Sequence, residues 1–357
     1  MRIELVRPAD LTPELLDRWI EIQRSQPWLH DPFARPEFAL AVASVRGDVE
    51  VAVLEESGEV VGFFPFHRSR WNTGRPLGTK LSDCHLVPVR ADVTWNPLEV
   101  VRKCRLSSWE FHLVPGEQRE LLPYATEIHE AVYMDLSEGF TRYVERRNRT
   151  GAKKQKEWER LLRKAERRGS PVRFVCNSSD PAALDALLTW KSAQYRRTGA
   201  TDILSFRWTN DLVRQAPLWT NEGFGSLLSA MYIGDQLAAV ELGLRSHDVL
   251  HGWFSAYNRD LAEFAPGILL FTALAQTMAD LGIARVHMGR NNLPYKSAFA
   301  SDRFPVMAGS VAVATTAKIL RASRQNLVRW SRSPWMAVPA RIAKQAVNPL
   351  RTWMAFR

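Results

Sequence analysis

The run Met288–Phe299 (MGRNNLPYKSAF) gathers groups that could handle a proton and an anion. Tyr295 could donate a hydrogen bond or a proton to a leaving group, and Lys296 could neutralise a phosphate or carboxylate. Upstream, Ala265-Pro266-Gly267 closes a loop before an apolar stretch that reads as a helix from about Ile268 to Leu281, stopped by Gly282. A helix start beside strand ends presents free backbone N–H groups and the positive end of the helix dipole. Pyrophosphate, phosphate or a carbonyl oxygen could be held there. The plainer alternatives are an ordinary connection with proline at the helix start, and a surface loop carrying a packed tyrosine.

Other constellations carry less. His247-Asp248-Val249-Leu250-His251 has the spacing of a helical zinc motif but lies in a strand-like stretch, where one helical turn does not bring the imidazoles together. No metal site is expected. Cys84 and His85 are adjacent, and neighbouring strand residues point to opposite faces, which argues against a thiol nucleophile. GxSxG, P-loop and GxGxxG motifs are absent, so nothing announces a covalent intermediate.

These groups sit in a chain of 357 residues, 46% hydrophobic, long enough for a large core and two or three domains. Three widely spaced cysteines suggest no disulfide framework, and a reducing cytoplasm is expected. The start, MRIELVRPAD, has no apolar signal region, and no run approaches the roughly 20 apolar residues of a membrane span. The net charge of +10 is concentrated: Arg142–Arg173 holds 13 Lys/Arg against 4 Asp/Glu, and Lys318–Arg357 holds 9 Lys/Arg and no acid. The first segment includes Arg146, Arg147, Arg149, Lys153, Lys154, Arg163 and Lys164. Such an excess suggests an acidic partner, a phosphorylated donor or a nucleic acid, the alternative being a solvated helix with i,i+4 pairs.

The elements that must position the chemistry follow from pattern. Arg2–Val6 reads as a strand, Thr12 caps a helix opened by Pro13, and Arg35–Val45 as another helix. Val49–Leu54 and Val60–His67 form a hairpin around Ser57-Gly58-Glu59. Trp95–Arg102 reads as helix, Trp109–Val114 as strand, and Asp180–Gln194 and Thr209–Pro217 as helices. Leu227–Ile233 and Leu237–Leu244 flank the Gly234-Asp235 turn, followed by strands Val249–Tyr257 and Ile283–Met288. A shift of 176 residues lays Gly58 on Gly234 with both hairpins in phase, which favours two copies of one α/β unit, 1–138 and 139–317, ahead of a basic tail, 318–357.

At this point the residues resemble a family. Gly289-Arg290, Tyr295-Lys296 and Phe299 after a strand are similar to the G-R…Y-K…F ending of the cellulose-biosynthesis-type (CelD-like) acetyltransferases of the GNAT superfamily, relatives of the Fem-like aminoacyl transferases. Tyr257…Pro266-Gly267…Leu270, the Arg146–Arg168 helix and the Gly74–Asp83 loop resemble further motifs of that family, over about residues 1–315. His287 and Asn291 stand where the family has Asp and Gly, and Ala265 where it has Ser. The resemblance implies a tandem GNAT fold of α/β (α+β) class, each unit a mixed, mostly antiparallel sheet flanked by helices. It also implies direct acyl transfer to an amine or hydroxyl in the second unit. Pro266, Gly267, Ile268, Arg290 and Lys296 would then bind the donor. Among Glu241, Asp83, Tyr257 and Tyr295 as proton carriers, Tyr295 is favoured as acid and Glu241 as base.

The donor stays open between acyl-CoA, which the resemblance favours, and aminoacyl-tRNA, which the basic arm favours. The acceptor would be a small molecule or glycan precursor. A third reading is a non-catalytic accessory of a membrane polysaccharide system, since the tail mixes cations with Trp330, Trp335 and Trp353 and could lie on anionic lipid. Packing of that tail on the domain is the alternative.

Overall fold

A computed structural model describes residues 1–149, 154–168, 170–221, 223–290, 294–313 and 356, with the side chains of 148–149, 154–156 and 294–295 outside the description. In chain order the elements are β1 (Arg2–Val6), α1 (Pro13–Arg24), α2 (Pro36–Val45), β2 (Val49–Glu56), β3 (Glu59–Arg68), β4 (Thr73–Pro76), α3 (Pro97–Lys103), β5 (Ser108–Pro115) and β6 (Ala125–Asp135). There follow α4 (Gly139–Arg149), α5 (Lys154–Arg167), β7 (Val172–Val175), α6 (Pro181–Thr198), α7 (Arg207–Gln215), β8 (Thr220–Asn221), β9 (Phe224–Ile233) and β10 (Gln236–Ser246). The last are β11 (Val249–Tyr257), α8 (Pro266–Asp280), β12 (Arg285–Arg290), α9 (Pro294–Phe299) and β13 (Asp302–Ala312).

Local chemistry sets the boundaries. Thr12 accepts from Leu15 N at 3.4 Å and Pro13 opens α1; Asp180 accepts from Ala182 N at 2.9 Å and Gly199 ends α6 at φ 70°. In the β2–β3 turn Ser57 and Gly58 both take positive φ, the pattern of a type I′ hairpin. Its counterpart, the β9–β10 turn, places Gly234 at φ 59°.

The strands form one mixed, mostly antiparallel sheet in the order β1-β2-β3-β4-β5-β13-β6-β12-β11-β10-β9-β7, with β8 on β9. Among the described residues only β4–β5 and β11–β12 pair in parallel. The sheet does not divide at residue 138. β6, on the N-terminal side of that position, lies between β13 and β12, and β13 inserts between β5 and β6. No strand was expected at 302–312, a stretch that carries Pro305 and Gly309. Both are nevertheless paired, Pro305 with Glu130 and Gly309 with Phe111, the latter at an irregularity that shifts the register on both sides of the strand.

The two faces of the C-terminal part of the sheet carry different loads. Val240, Leu242 and Leu244 point with Phe254 into a core shared with α1, α2, α6 and α7, which joins both halves of the chain. The opposite face packs on α8: Ala238, Ala239 and Met231 meet Leu269 and Leu270, with α5 behind them. Most of the basic tail lies outside the described residues. Phe356 is buried, stacked on Trp208 at 5.4 Å, and its carbonyl accepts from Trp208 Nε1 at 2.8 Å. No helix among the described residues is long and apolar enough to cross a membrane.

Gly309 has no room for a side chain: a Cβ there would overlap the Tyr124 carbonyl oxygen and stand 2.8 Å from the Phe111 ring. Gly309→Ala must therefore part β13 from its neighbours. A loss of about 3 kcal/mol is expected, measured as a lowered urea midpoint, and an unchanged midpoint would show that the strand is not held as described.

Candidate active site

β11 and β12 run side by side only from Val249–His251 against Arg285–His287. Beyond His251, β11 keeps β10 as its partner, while β12 shifts register toward β6 and turns at Gly289, φ 68°. The two strands separate at His251 and His287, and the edge of β11 that faces the gap has no strand partner among the described residues. An unpaired edge offers backbone N–H groups to a ligand carbonyl.

A fully buried carboxylate ties the apex together. Asp31 caps the turn Pro32–Ala34 by accepting from Phe33 N, and its Oδ2 accepts from His251 Nδ1 at 2.6 Å and His287 Nδ1 at 2.9 Å. Burial alone would raise its pKa, but the two imidazoles hold it well below the usual carboxylate range. His251 is raised: burial works against its charge, and the charge of Asp31 and the hydrogen bond to it prevail. His287 is lowered, chiefly by burial. The Cys84 thiol is pushed well up by burial and by the charge of Asp31. The ligand-type atoms of Asp31, His251 and His287 lie within 4.8 Å of one another, and the two N–H donations account for that closeness.

In the gap sits a second polar group. Glu241 on β10, in register with Ser229 and Ser255, is 3% exposed. Burial raises its pKa to about 8 against the pull of Lys191, the Ser255 hydroxyl and Lys296. Its Oε1 occupies the place of a missing Cβ, 2.6 Å from where one on Gly252 would stand. Lys191, from α6, donates to Ser255 O at 3.2 Å, and Lys296, from α9, to Arg290 O at 3.1 Å. Burial lowers both lysines, Glu241 opposing the shift at Lys191, and Asp83 and Glu241 opposing it at Lys296. Asp83 comes from the N-terminal half and lies against Gly289, its Oδ2 2.8 Å from a Cβ position there.

Three residues singled out from sequence, Glu241, Asp83 and Lys296, are thus brought together. Tyr257 ends β11 and is 42% exposed. Pro266, Gly267 and Ile268 open α8, whose cap Ala265 adopts φ 47° and gives no side-chain hydrogen bond; a Cβ on Gly267 would meet nothing within 4 Å. The start of α8 is therefore open to a ligand. Arg290 ends β12 and donates to His129 Nδ1 at 3.0 Å. The backbone of Tyr295 belongs to α9, and its side chain lies outside the description. Lys191, Asp31 and the pairing of His251 with His287 were missed. A lysine within a helix and an aspartate beside a proline carry no local signal, and the histidines are 36 positions apart.

The described cations singled out in the basic segment have partners within the protein. Arg146 pairs with Asp135 and, at 2.6 Å, Glu138; Arg147 donates to the carbonyls of Ala298 and Ala300. Lys164 and Arg168 share Glu263 at 3.2 and 2.6 Å, and Arg163 reaches Glu159 at 4.0 Å. Lys153 and the side chains of Arg149 and Lys154 lie outside the described residues.

Comparison with known proteins shows what this chain is similar to. Residues 152–297 match the model of the acetyltransferase (GNAT) domain. No curated protein matches. Among solved structures the chain is similar to FemX, with 8% identity, a TM-score of 0.55 and coverage of 89% of this chain and 98% of that one. It is also similar to the C-terminal domain of a protein described as a lysylphosphatidylglycerol synthetase from Agrobacterium fabrum (14% identity, TM-score 0.51, 86% and 95% covered). A lower overlap, TM-score 0.47, is found with the tandem GNAT protein of the clavulanic acid biosynthesis pathway, at 12% identity over 88% and 99%. The fold is of GNAT type, and the domain match supports acyl transfer as the class of reaction.

Two outcomes follow from Glu241. Its folded pKa, about 8, lies above the ordinary 4.5, so its contribution to stability is complete below pH 4.5 and lost as pH rises toward 8. Glu241→Gln should remove that slope, at most about 1.4 kcal/mol per pH unit; urea midpoints at pH 5 and 8.5 that differ equally in both proteins would refute the shift. Gly252→Ala must displace the carboxyl, a mobile side-chain end. A fall in acyl transfer of tenfold or more (about 1.4 kcal/mol) is expected with little change in thermal midpoint.

Proposed function

We propose that this protein transfers an acyl group from acyl-CoA directly to an amine or hydroxyl acceptor in the gap between β11 and β12. The observation that carries the reading is the separation of these strands beside an α8 N-terminus with no capping side chain. The start of α8 (Pro266, Gly267, Ile268) would take the donor pyrophosphate, with Arg290 and Lys296 toward its phosphates. The free edge of β11 would polarise the thioester carbonyl. Glu241 was expected as the base. With a pKa near 8 it holds its proton at neutral pH, and we assign it to the departing thiolate as an acid. Asp83 would orient the acceptor, and no enzyme ester is required.

An aminoacyl-tRNA donor is the second reading, favoured by the charge of Arg142–Arg173 and by the likeness to FemX. The internal partners of Arg146, Arg147 and Lys164 weigh against it.

Thermal stabilisation by acetyl-CoA, longer acyl-CoAs and a mixed aminoacyl-tRNA pool, at two salt concentrations, separates these readings. A CoA ester at a hundredfold its Kd should stabilise by about 2.7 kcal/mol, an effect diminished in Lys296→Ala. A salt-sensitive shift with tRNA alone would move the assignment to aminoacyl transfer, and no shift with either would favour the accessory protein.

A further inference from the structure

The acid just assigned leaves the acceptor's proton without a destination. We infer that His251, oriented by Asp31, is the general base that takes this proton on Nε2. The inference rests on the acyl-transfer reading above and completes it.

Three observations converge on this imidazole. Its Nδ1 is held by Asp31 Oδ2 at 2.6 Å, which fixes both the ring plane and the tautomer and directs the Nε2 lone pair away from the carboxylate. Nε2 is buried and has no partner among the described residues, on a side chain that is 1% exposed. An unpaired buried nitrogen is costly and rarely left without a use. Finally, His251 is the last residue of β11 paired with β12, so it stands at the apex of the gap.

Alternation along β11 then separates the two proton carriers. Gly252 faces the side where the Glu241 carboxyl lies, which is also the α8 side, and His251 faces the opposite side, against Phe33 and Asp31. The donor helix and the acid share one face of the sheet. The base shares the other with the N-terminal half. An acceptor entering between the halves would meet His251 on the side away from the leaving group. The acceptor nitrogen or oxygen bonds to the thioester carbon and its proton passes to Nε2. The carbon–sulfur bond breaks, and the thiolate takes the proton of Glu241. His251 and Glu241 then re-equilibrate with solvent, so acyl-CoA and acceptor give acylated acceptor and free CoA.

The charged and titratable groups around His251 are Asp31 on the turn before α2, Asp83 and Cys84 on the loop after Leu81, His287 on β12 and Lys296 on α9. Burial and the charge of Lys296 lower its proton affinity, Asp31 and Asp83 raise it, and the net is a rise. Activity should therefore fall as pH drops through a value above 6.5, and Asp31→Asn, by removing the dominant charge, should move that limb to lower pH.

The test is the pH–rate profile of CoA release from acetyl-CoA with a panel of primary amines and amino sugars, in wild type, His251→Gln, His251→Asn and Asp31→Asn. The inference expects a loss of a hundredfold or more in kcat for both His251 variants, with KM for acetyl-CoA and its thermal stabilisation retained, partial rescue by added imidazole, and a displaced acidic limb in Asp31→Asn. Retained stabilisation also certifies folding. Transfer by either His251 variant within threefold of wild type, or a limb unmoved by Asp31→Asn, would overturn the base while leaving acyl transfer intact. Stoichiometric bound zinc, lost from the Asp31 and His251 variants alike, would overturn it in favour of a metal centre. A wild type that releases no CoA to any amine counts against both readings.

Discussion

A carboxylate with no access to water must be surrounded by donors or it will not stay charged, and the position of Asp31 makes this requirement structural. Its donors come from β11, from β12 and from the backbone of its own turn, with Cys84 beside it. Asp31 and Cys84 belong to the N-terminal half of the chain, His251 and His287 to the C-terminal half. Satisfying one charge therefore fixes where the halves meet and where two strands stop pairing. The gap that follows is a consequence of that knot, as is the arrival of Asp83, the neighbour of Cys84, at the end of β12.

Polar groups on either side of the knot end in opposite protonation states, although burial raises the pKa of both carboxyls. Glu241 is driven to keep its proton, Asp31 to give its own up, and the lysines to hold theirs less firmly. The difference lies in partners. Asp31 accepts from two imidazoles, while Glu241 Oε2 has no hydrogen-bond partner among the described residues. Two carboxyls in one region thus carry opposite protonation states at neutral pH, the condition under which an acid and a base can act in one reaction.

Much of this was legible in the sequence. Both hairpins, α1 with its cap, α6, α8 and its open start, and β11 and β12 follow from turn residues and periodicity, which act over a few positions. What escaped is long-range. β13 carries Pro305 and Gly309, and its strand character comes from the two neighbours it pairs with rather than from its own alternation. α9 read as a loop because six residues are too few for a period to declare itself. His287 was noticed as a departure from the Asp of the resembled family; its complement, Asp31, lies 256 residues away and no spacing rule could join them. The neighbours of the basic segment were also out of reach of its composition. Composition counts cations but not carbonyls, and Arg147 faces the carbonyls that close α9.

The insertion of β13 between β5 and β6 also governs when the protein can exist. β5 ends at Pro115, and the strand that covers its open edge begins at Asp302. While the chain is being made, the N-terminal sheet waits with an exposed edge through the synthesis of nearly all of the second half. Contacts so distant in sequence are slow to close. A ribosome stalled before residue 302 would therefore hold a chain with most of its helices available but no completed sheet, dependent on whatever in the cell shields unpaired strands.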